Sequence, residues 1–522
     1  MPTTSVLPSQ LTHGRVPTAA TAADHPVLGA PYLEAVQRYA ARGPARFHVP
    51  GHNGGRAAPA RLVGALGRAL ELDVPSCIEG IDLGSAETPL QLAERLAAAT
   101  WGARRTWFLV NGASEASHAL CLALGECDGE IVVQRNAHAS TIHGLVLGGL
   151  RPLFVMPGID QELGIAHCVG AGELAKTLDR APEAIAAFVV SPTYFGAAAD
   201  VAALAGVCHD RGVALIVDEA WGAHFRFHDG LPEDALAAGA DAVISGTHKL
   251  VGSLTQSAML HLGQNGVGVL DEATLSRALG LVRTTSPNSL LLASLDVARA
   301  RVDAHGQELV AQALEAMRAL KQQIGRACGL RVLGEECVGD HGIAAFDALR
   351  LAIDIGATGV EGHVVAADLL RLADVNLELV TSRILIAHVG LGQPPAEASQ
   401  RLVDGLQVVA NAATAAAPSP PATPSCFGEP VMSPRAAFFA AHETVALDDA
   451  AGRICADSIA VYPPGIANVL PGEQLTPRLV SYLLEMRSRG YPLRGTWDEQ
   501  AGTVQTTRHP STRGCQSRRD LR

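Results

Sequence analysis

The sequence predicts an α/β protein: a mostly parallel seven-stranded sheet, followed by a small α+β unit and a C-terminal α+β unit. Three observations predict it. Short apolar, β-branched runs recur near 107–110, 131–135, 153–156, 186–191, 213–218, 241–245 and 257–262, as expected of strands covered on both faces. Helical periodicity fills the intervals, for example at Ala113, Ala116, Leu120 and Leu124. Hydrophobic residues make up 48% of the chain but aromatics only 4%, which favours close-packed helix and sheet layers.

Residues 1–25 are rich in Thr, Ser, Pro and Ala without periodicity, and read as a disordered leader. A large unit spans 26–300, beginning with an arm over 26–55. Within that arm Pro31–Ala41 has helical spacing, and Phe47–Gly55 is a loop because of its proline and glycines. Asp296–Cys328 reads as one or two long helices leading into the small unit, 301–411, with strands at Arg350–Ile355 and Arg383–Ile386 and a helix around 361–373. Ala412–Ser425, rich in alanine and proline, reads as a linker. The C-terminal unit spans 426–506, and the polar, basic stretch 507–522 reads as a frayed tail.

Composition excludes several classes. A net charge of −12 argues against general nucleic-acid binding, which needs a basic footprint. The ten cysteines form no C-x-x-C pair, so neither a zinc cluster nor a redox motif is indicated. No signal segment opens the chain and no apolar run is long enough to span a bilayer, so no membrane role is expected and a reducing cytoplasm is the expected setting.

The chemistry concentrates at strand ends. The run Val213–Val217 ends in Asp218-Glu219-Ala220, and Ala242–Ser245 ends in Gly246-Thr247-His248-Lys249. A strand-end carboxylate followed by a strand-end lysine suits pyridoxal 5'-phosphate: the lysine forms the Schiff base and the aspartate keeps the pyridinium nitrogen protonated. Gly112-Ala113-Ser114-Glu115 opens a helix, where free backbone N–H groups and the Ser114 hydroxyl would hold a phosphate; the alternative is a simple N-cap. His138 closes the second strand, on the side of the sheet where ligands bind, and could stack on the ring; a surface histidine is the alternative. Thr193 follows the fourth strand and could reach the phenolic oxygen, or belong to a plain turn. Ala220 is small enough to lie under a flat ring.

With these residues, the chain resembles the pyridoxal-phosphate-dependent ornithine/lysine/arginine decarboxylases of the bacterial, aminotransferase-fold type (fold type I). The motifs are Phe47-His48-Val49-Pro50-Gly51-His52; Asn136–Ser140; Asp218–His224; Thr247-His248-Lys249-Leu250; Thr285-Ser286-Pro287-Asn288; Met432–Arg435; Tyr462–Ile466; and Pro471-Gly472-Glu473. The resemblance implies that a basic L-amino acid is decarboxylated to its amine, with Lys249, Asp218 and His138 catalytic. It implies cofactor contacts from Gly112, Ala113, Ser114, Glu115, His138, Thr193, Asp218, Ala220, Trp221, Ser245, His248 and Lys249. It implies that Ser286 reaches the phosphate of a neighbouring subunit, making at least a homodimer necessary. His52, His224 and Glu473 are the candidate substrate contacts, Glu473 as partner of the distal amine or else as a surface glutamate. Asn53, Ala113 and Trp221 depart from the usual pattern, and the early Pro50-Gly51-His52 leaves no room for the wing domain of longer members. Another pyridoxal-phosphate reaction on the same fold, or a silent regulatory paralogue, are the competing readings.

Overall fold

In the computed structural model, which describes residues 29–84, 86–125, 129–264, 270–392, 396–412, 427–461, 466–495 and 502–508, seven strands form one sheet. They are β1 Arg105–Leu109, β2 Glu130–Gln134, β3 Arg151–Val155, β4 Ala184–Val190, β5 Ala214–Asp218, β6 Ala242–Ser245 and β7 Ala258–Leu262. The order is β1-β7-β6-β5-β4-β2-β3; β7 runs antiparallel to both neighbours and every other pair is parallel. The leader, nearly all of the linker, residues 462–465 and the tail beyond 508 lie outside the described residues.

Period-2 alternation places the core on both faces. Ile131, Val133, Ile216 and Ile244 pack with Leu120 and Leu145 of helices α1 (Gly112–Ala123) and α2 (Ala139–Gly148). Val132, Leu215, Val217 and Val243 pack with Leu174 and Leu204 on the other side. Every residue of β5 is buried, which explains its unbroken apolar run. Val190 pairs with Asp218 and Asp218 with Ile244, so β4, β5 and β6 end level and their following residues converge.

Behind the sheet, a single helix covers Ser289–Cys328. Asn288 caps it, accepting the N–H groups of Leu290 and Leu291 at 2.9 and 3.2 Å. The division expected at residue 300 falls inside this helix. Its first turns hold the large unit, where Asp296 accepts the Tyr32 N–H at 2.8 Å, while Cys328 reaches the Val403 carbonyl at 3.7 Å in the small unit. The small unit carries a four-stranded antiparallel sheet of Arg331–Val332, Leu351–Asp354, Ile384–Ala387 and Leu379–Val380. The C-terminal unit has its own core, in which Ile459, Val469 and Leu475 pack on Leu479 and Leu483 of the helix Pro477–Ser488. Arg435 seats it on α2, donating to the carbonyls of Val146 and Leu147 at 2.9 and 3.1 Å.

Candidate active site

A cavity of about 1450 Å³ opens at the level ends of β4–β6, between the sheet, the small unit and the C-terminal unit. Its floor gathers Gly112, Ala113, Ser114, His138, Thr193, Asp218, Ala220, Trp221, His248 and Lys249. This is where a parallel sheet places ligands, because the loops leaving adjacent strands converge there.

Lys249 sits on the short helix α3, Thr247–Leu250, directly after β6. Gly246 permits that placement: a Cβ there would stand 2.5 Å from the Ala220 carbonyl oxygen and 3.2 Å from Lys249 Cδ. Lys249 Nζ lies 4.1 Å from the centroid of the Trp221 ring. Burial, opposed by Asp218 and assisted by Arg350, lowers the Lys249 ammonium from its usual range to about 8. The chain has only three lysines, and the other two are elsewhere: Lys176 pairs with Glu173 on the surface and Lys321 donates to the Ala348 carbonyl. That scarcity is a sequence signal the motif reading did not use.

Asp218 closes β5 and accepts the Ala220 N–H at 3.1 Å. His138 caps α2; its Nδ1 accepts the Ser140 N–H at 3.2 Å and lies 2.8 Å from Ser140 Oγ, which fixes the ring. Burial favours its neutral form, against the pull of Asp218. His248 is held by a 2.8 Å contact from Nδ1 to the Ser257 carbonyl.

The first N–H groups of α1 divide in two. Asn111 donates to Glu115 Oε2 at 3.1 Å and Gly112 to the Gln256 carbonyl at 2.7 Å. Ala113 and Ser114, which line the cavity, have no side-chain cap above them. Gly112 has φ +74° and open space where a Cβ would stand. Thr193 Oγ1 is buried without a hydrogen-bond partner among the described residues. An uncapped helix start, an orphaned hydroxyl, an oriented histidine and a strand-end carboxylate form a cradle that fits pyridoxal phosphate.

Six expected site residues lie outside this cradle. Glu115 points inward, accepting from Asn111 and pairing with Arg283 at 3.3 Å. Ser245 ends β6 with its hydroxyl buried away from the cavity. His52 is held by Asp73 at 3.0 Å, and His224, fully buried, by Asp347 at 3.3 Å. Glu473 is neither on the surface nor in the cavity. It forms a buried ion pair with Arg135, whose Nη2 donates to Oε2 at 2.8 Å, so its carboxylate is spent on joining the C-terminal unit to β2. Ser286 is exposed and does not line its own chain's cavity.

The cavity also holds groups that motif reading missed. Glu378, from the small unit, accepts the Tyr194 hydroxyl at 2.5 Å, and its Oε2 lies 3.9 Å from His388 Nδ1. Tyr194 and His388 both pack against Trp221, with ring centroids 4.8 and 5.5 Å away. Asp457, from the C-terminal unit, adds a half-buried carboxylate raised by desolvation.

Residues 30–348 match the Orn/Lys/Arg decarboxylase major domain, and residues 412–512 match the C-terminal domain of the same family. The chain belongs to the Orn/Lys/Arg decarboxylase family. The arginine decarboxylase of Bacillus subtilis (strain 168) is 34% identical over 472 residues, covering 90% of this chain and 96% of that protein. The arginine decarboxylase of Bacillus anthracis is 32% identical over 485 residues, 92% of this chain and 96% of the relative. Lysine decarboxylase A from Pseudomonas aeruginosa superposes with a TM-score of 0.78 at 21% identity, covering 92% of this chain and 80% of its own. This family member is therefore an amino-acid decarboxylase, with pyridoxal phosphate as the cofactor its family implies. No helix among its described residues is long and apolar enough to cross a membrane.

Proposed function

We propose that this decarboxylase converts L-arginine to agmatine and CO2. The observation that carries the chemistry is the meeting of Lys249, Asp218 and His138 in one cavity beside the uncapped start of α1. Arginine as substrate is supported by the relatives: those matching 85–92% of the chain at 32–34% identity and bearing a substrate name are arginine decarboxylases. The cavity carboxylates Glu378 and Asp457 suit a guanidinium, which pairs well with carboxylates in partly dry surroundings.

Pyridoxal phosphate bound here supplies the electron sink that takes up the pair left behind as CO2 departs. The N–H groups of Ala113 and Ser114, with His248, would hold its phosphate. Asp218 would hold the proton on the ring nitrogen, Ala220 and His138 would contact the ring, and the unpartnered Thr193 Oγ1 would supply a further hydrogen bond to the cofactor. Lys249 would anchor the cofactor and, with its ammonium lowered to about 8, would give up readily the proton that Cα takes once CO2 has left. Ser286, exposed on its own subunit, completes the phosphate site of a second copy, so the working unit is at least a homodimer. The free thiols of the described cysteines fit the reducing cytoplasm proposed as its setting.

The test is to incubate the cofactor-loaded enzyme separately with arginine, lysine and ornithine and to identify the amine and CO2 formed. Agmatine, with kcat/KM for arginine at least about tenfold above the others, is expected. Cadaverine or putrescine as the preferred product overturns the substrate, and a keto acid without CO2 overturns the reaction.

A further inference from the structure

Arg350 precedes the strand Leu351–Asp354 of the small unit and is 1% exposed. Its Nε, Nη1 and Nη2 all lack hydrogen-bond partners among the described residues. A guanidinium offers five donors in a fixed fork, and burying it unbonded is costly, so its position calls for a reason. Its Nη2 forms an ion pair with Asp347 Oδ2 at 3.7 Å, too long for a hydrogen bond, while Oδ1 of the same carboxylate serves His224 Nε2 at 3.3 Å and the Leu349 N–H at 3.0 Å. The guanidinium also stacks on Trp221, with Cζ 4.3 Å from the ring centroid. Its stem is tightly held, since a Cβ at Gly196 (φ +101°) would stand 2.7 Å from Arg350 Cβ.

The same indole carries Lys249 Nζ at 4.1 Å. Two cationic groups thus share one ring, and one of them, the guanidinium, stays charged at any working pH. We propose that Arg350 is a positioning residue for Lys249: its fixed charge disfavours a second cation at Nζ and so favours the nucleophilic amine, while its stack holds the indole against which Lys249 lies. This rests on the reading of Lys249 as the cofactor lysine. The other charged groups facing Nζ are Asp218 and Glu378, which favour the ammonium, and His138 and His388, which burial keeps largely neutral. Burial is the largest cause of the lowered Lys249 value and Arg350 acts in the same direction.

The scarcity of lysine makes the test direct. The full-length chain, freed of cofactor, is acetylated with acetic anhydride from roughly pH 6 to 11, and each lysine is quantified by mass spectrometry with exposed Lys176 as internal reference. Wild type is expected to give a Lys249 midpoint near 8. Arg350→Met is expected to raise it by about one unit, cutting Lys249 labelling at neutral pH about tenfold. Arg350→Lys, which keeps the charge, should retain a low midpoint. Because Arg350→Met strands the buried Asp347, the double variant Asp347→Asn/Arg350→Met is measured in parallel and should show the same rise. An unchanged midpoint in both overturns the proposal. So does an unchanged midpoint combined with a more than tenfold rise in KM at constant kcat, which would assign Arg350 to the substrate carboxylate. Borohydride fixation of cofactor on Lys176 or Lys321 would sink the reading of Lys249 yet leave the titration result standing, so the two failures are distinguishable.

Discussion

Replacing Glu473 by glutamine removes half of a buried ion pair and leaves the Arg135 guanidinium without a counter-charge. The side chains are 3% and 4% exposed, and Nη1 and Nη2 each donate to one carboxylate oxygen. Phe154 and Phe427 cover the guanidinium, 4.7 and 4.8 Å from ring centroid to Cζ. Breaking one side of such a pair costs about 3–5 kcal/mol. Arg135 keeps its bonds to the carbonyls of Ala467 and Asn468, both 3.3 Å, so the lower end, about 3 kcal/mol, is expected. In native-state hydrogen exchange, that is about a hundredfold loss of protection for amides of residues 466–475, whose unit the pair secures to β2. The double variant Arg135→Met/Glu473→Leu should regain most of it, because no buried charge is then left alone. The KM for arginine should stay within about threefold, since Glu473 itself does not line the cavity. Unchanged protection together with a more than tenfold rise in KM would refute this reasoning and restore Glu473 as a substrate contact.

Asp218→Asn should still bind pyridoxal phosphate but lose roughly a hundredfold or more in kcat, because an amide cannot hold the ring nitrogen protonated; a loss of only a few-fold would assign that task elsewhere. Lys249 titrates near 8 in the folded chain, below its ordinary 10.5, so the unfolded state binds more protons between those values. Stability measured against Lys249→Met should therefore rise with pH from about 8 to 10.5, and cofactor capture should rise through pH 8 and then level; flat profiles would contradict a buried amine. Ser286→Ala should weaken cofactor retention in a dimer, and a fully active monomer in the ultracentrifuge would refute a shared site.

The strands were legible because burial on both faces leaves unbroken apolar runs, as in Val213–Val217, and Pro31–Ala41 because it keeps helical spacing to its end. Asp218 and Lys249 were legible for a related reason: polar residues that terminate buried strands stand out against what precedes them. His224 was not, because a histidine in a loop carries no mark of which way it turns, and here it turns into full burial on Asp347. Glu473 was misread because its partner lies 338 residues away, and a glutamate after Pro-Gly reads as exposed unless that partner is known.

By itself, then, the sequence determined the α/β layering, the strand-end placement of Asp218 and Lys249, and the family, since each depends on local pattern and spacing. Tertiary structure alone decided that Glu378, His388 and Asp457 enter the cavity from two other units, that Glu473 leaves it, and that Arg350 shares an indole with Lys249. Those placements depend on which surfaces meet when separate units pack, and no local periodicity encodes a contact between residues hundreds of positions apart.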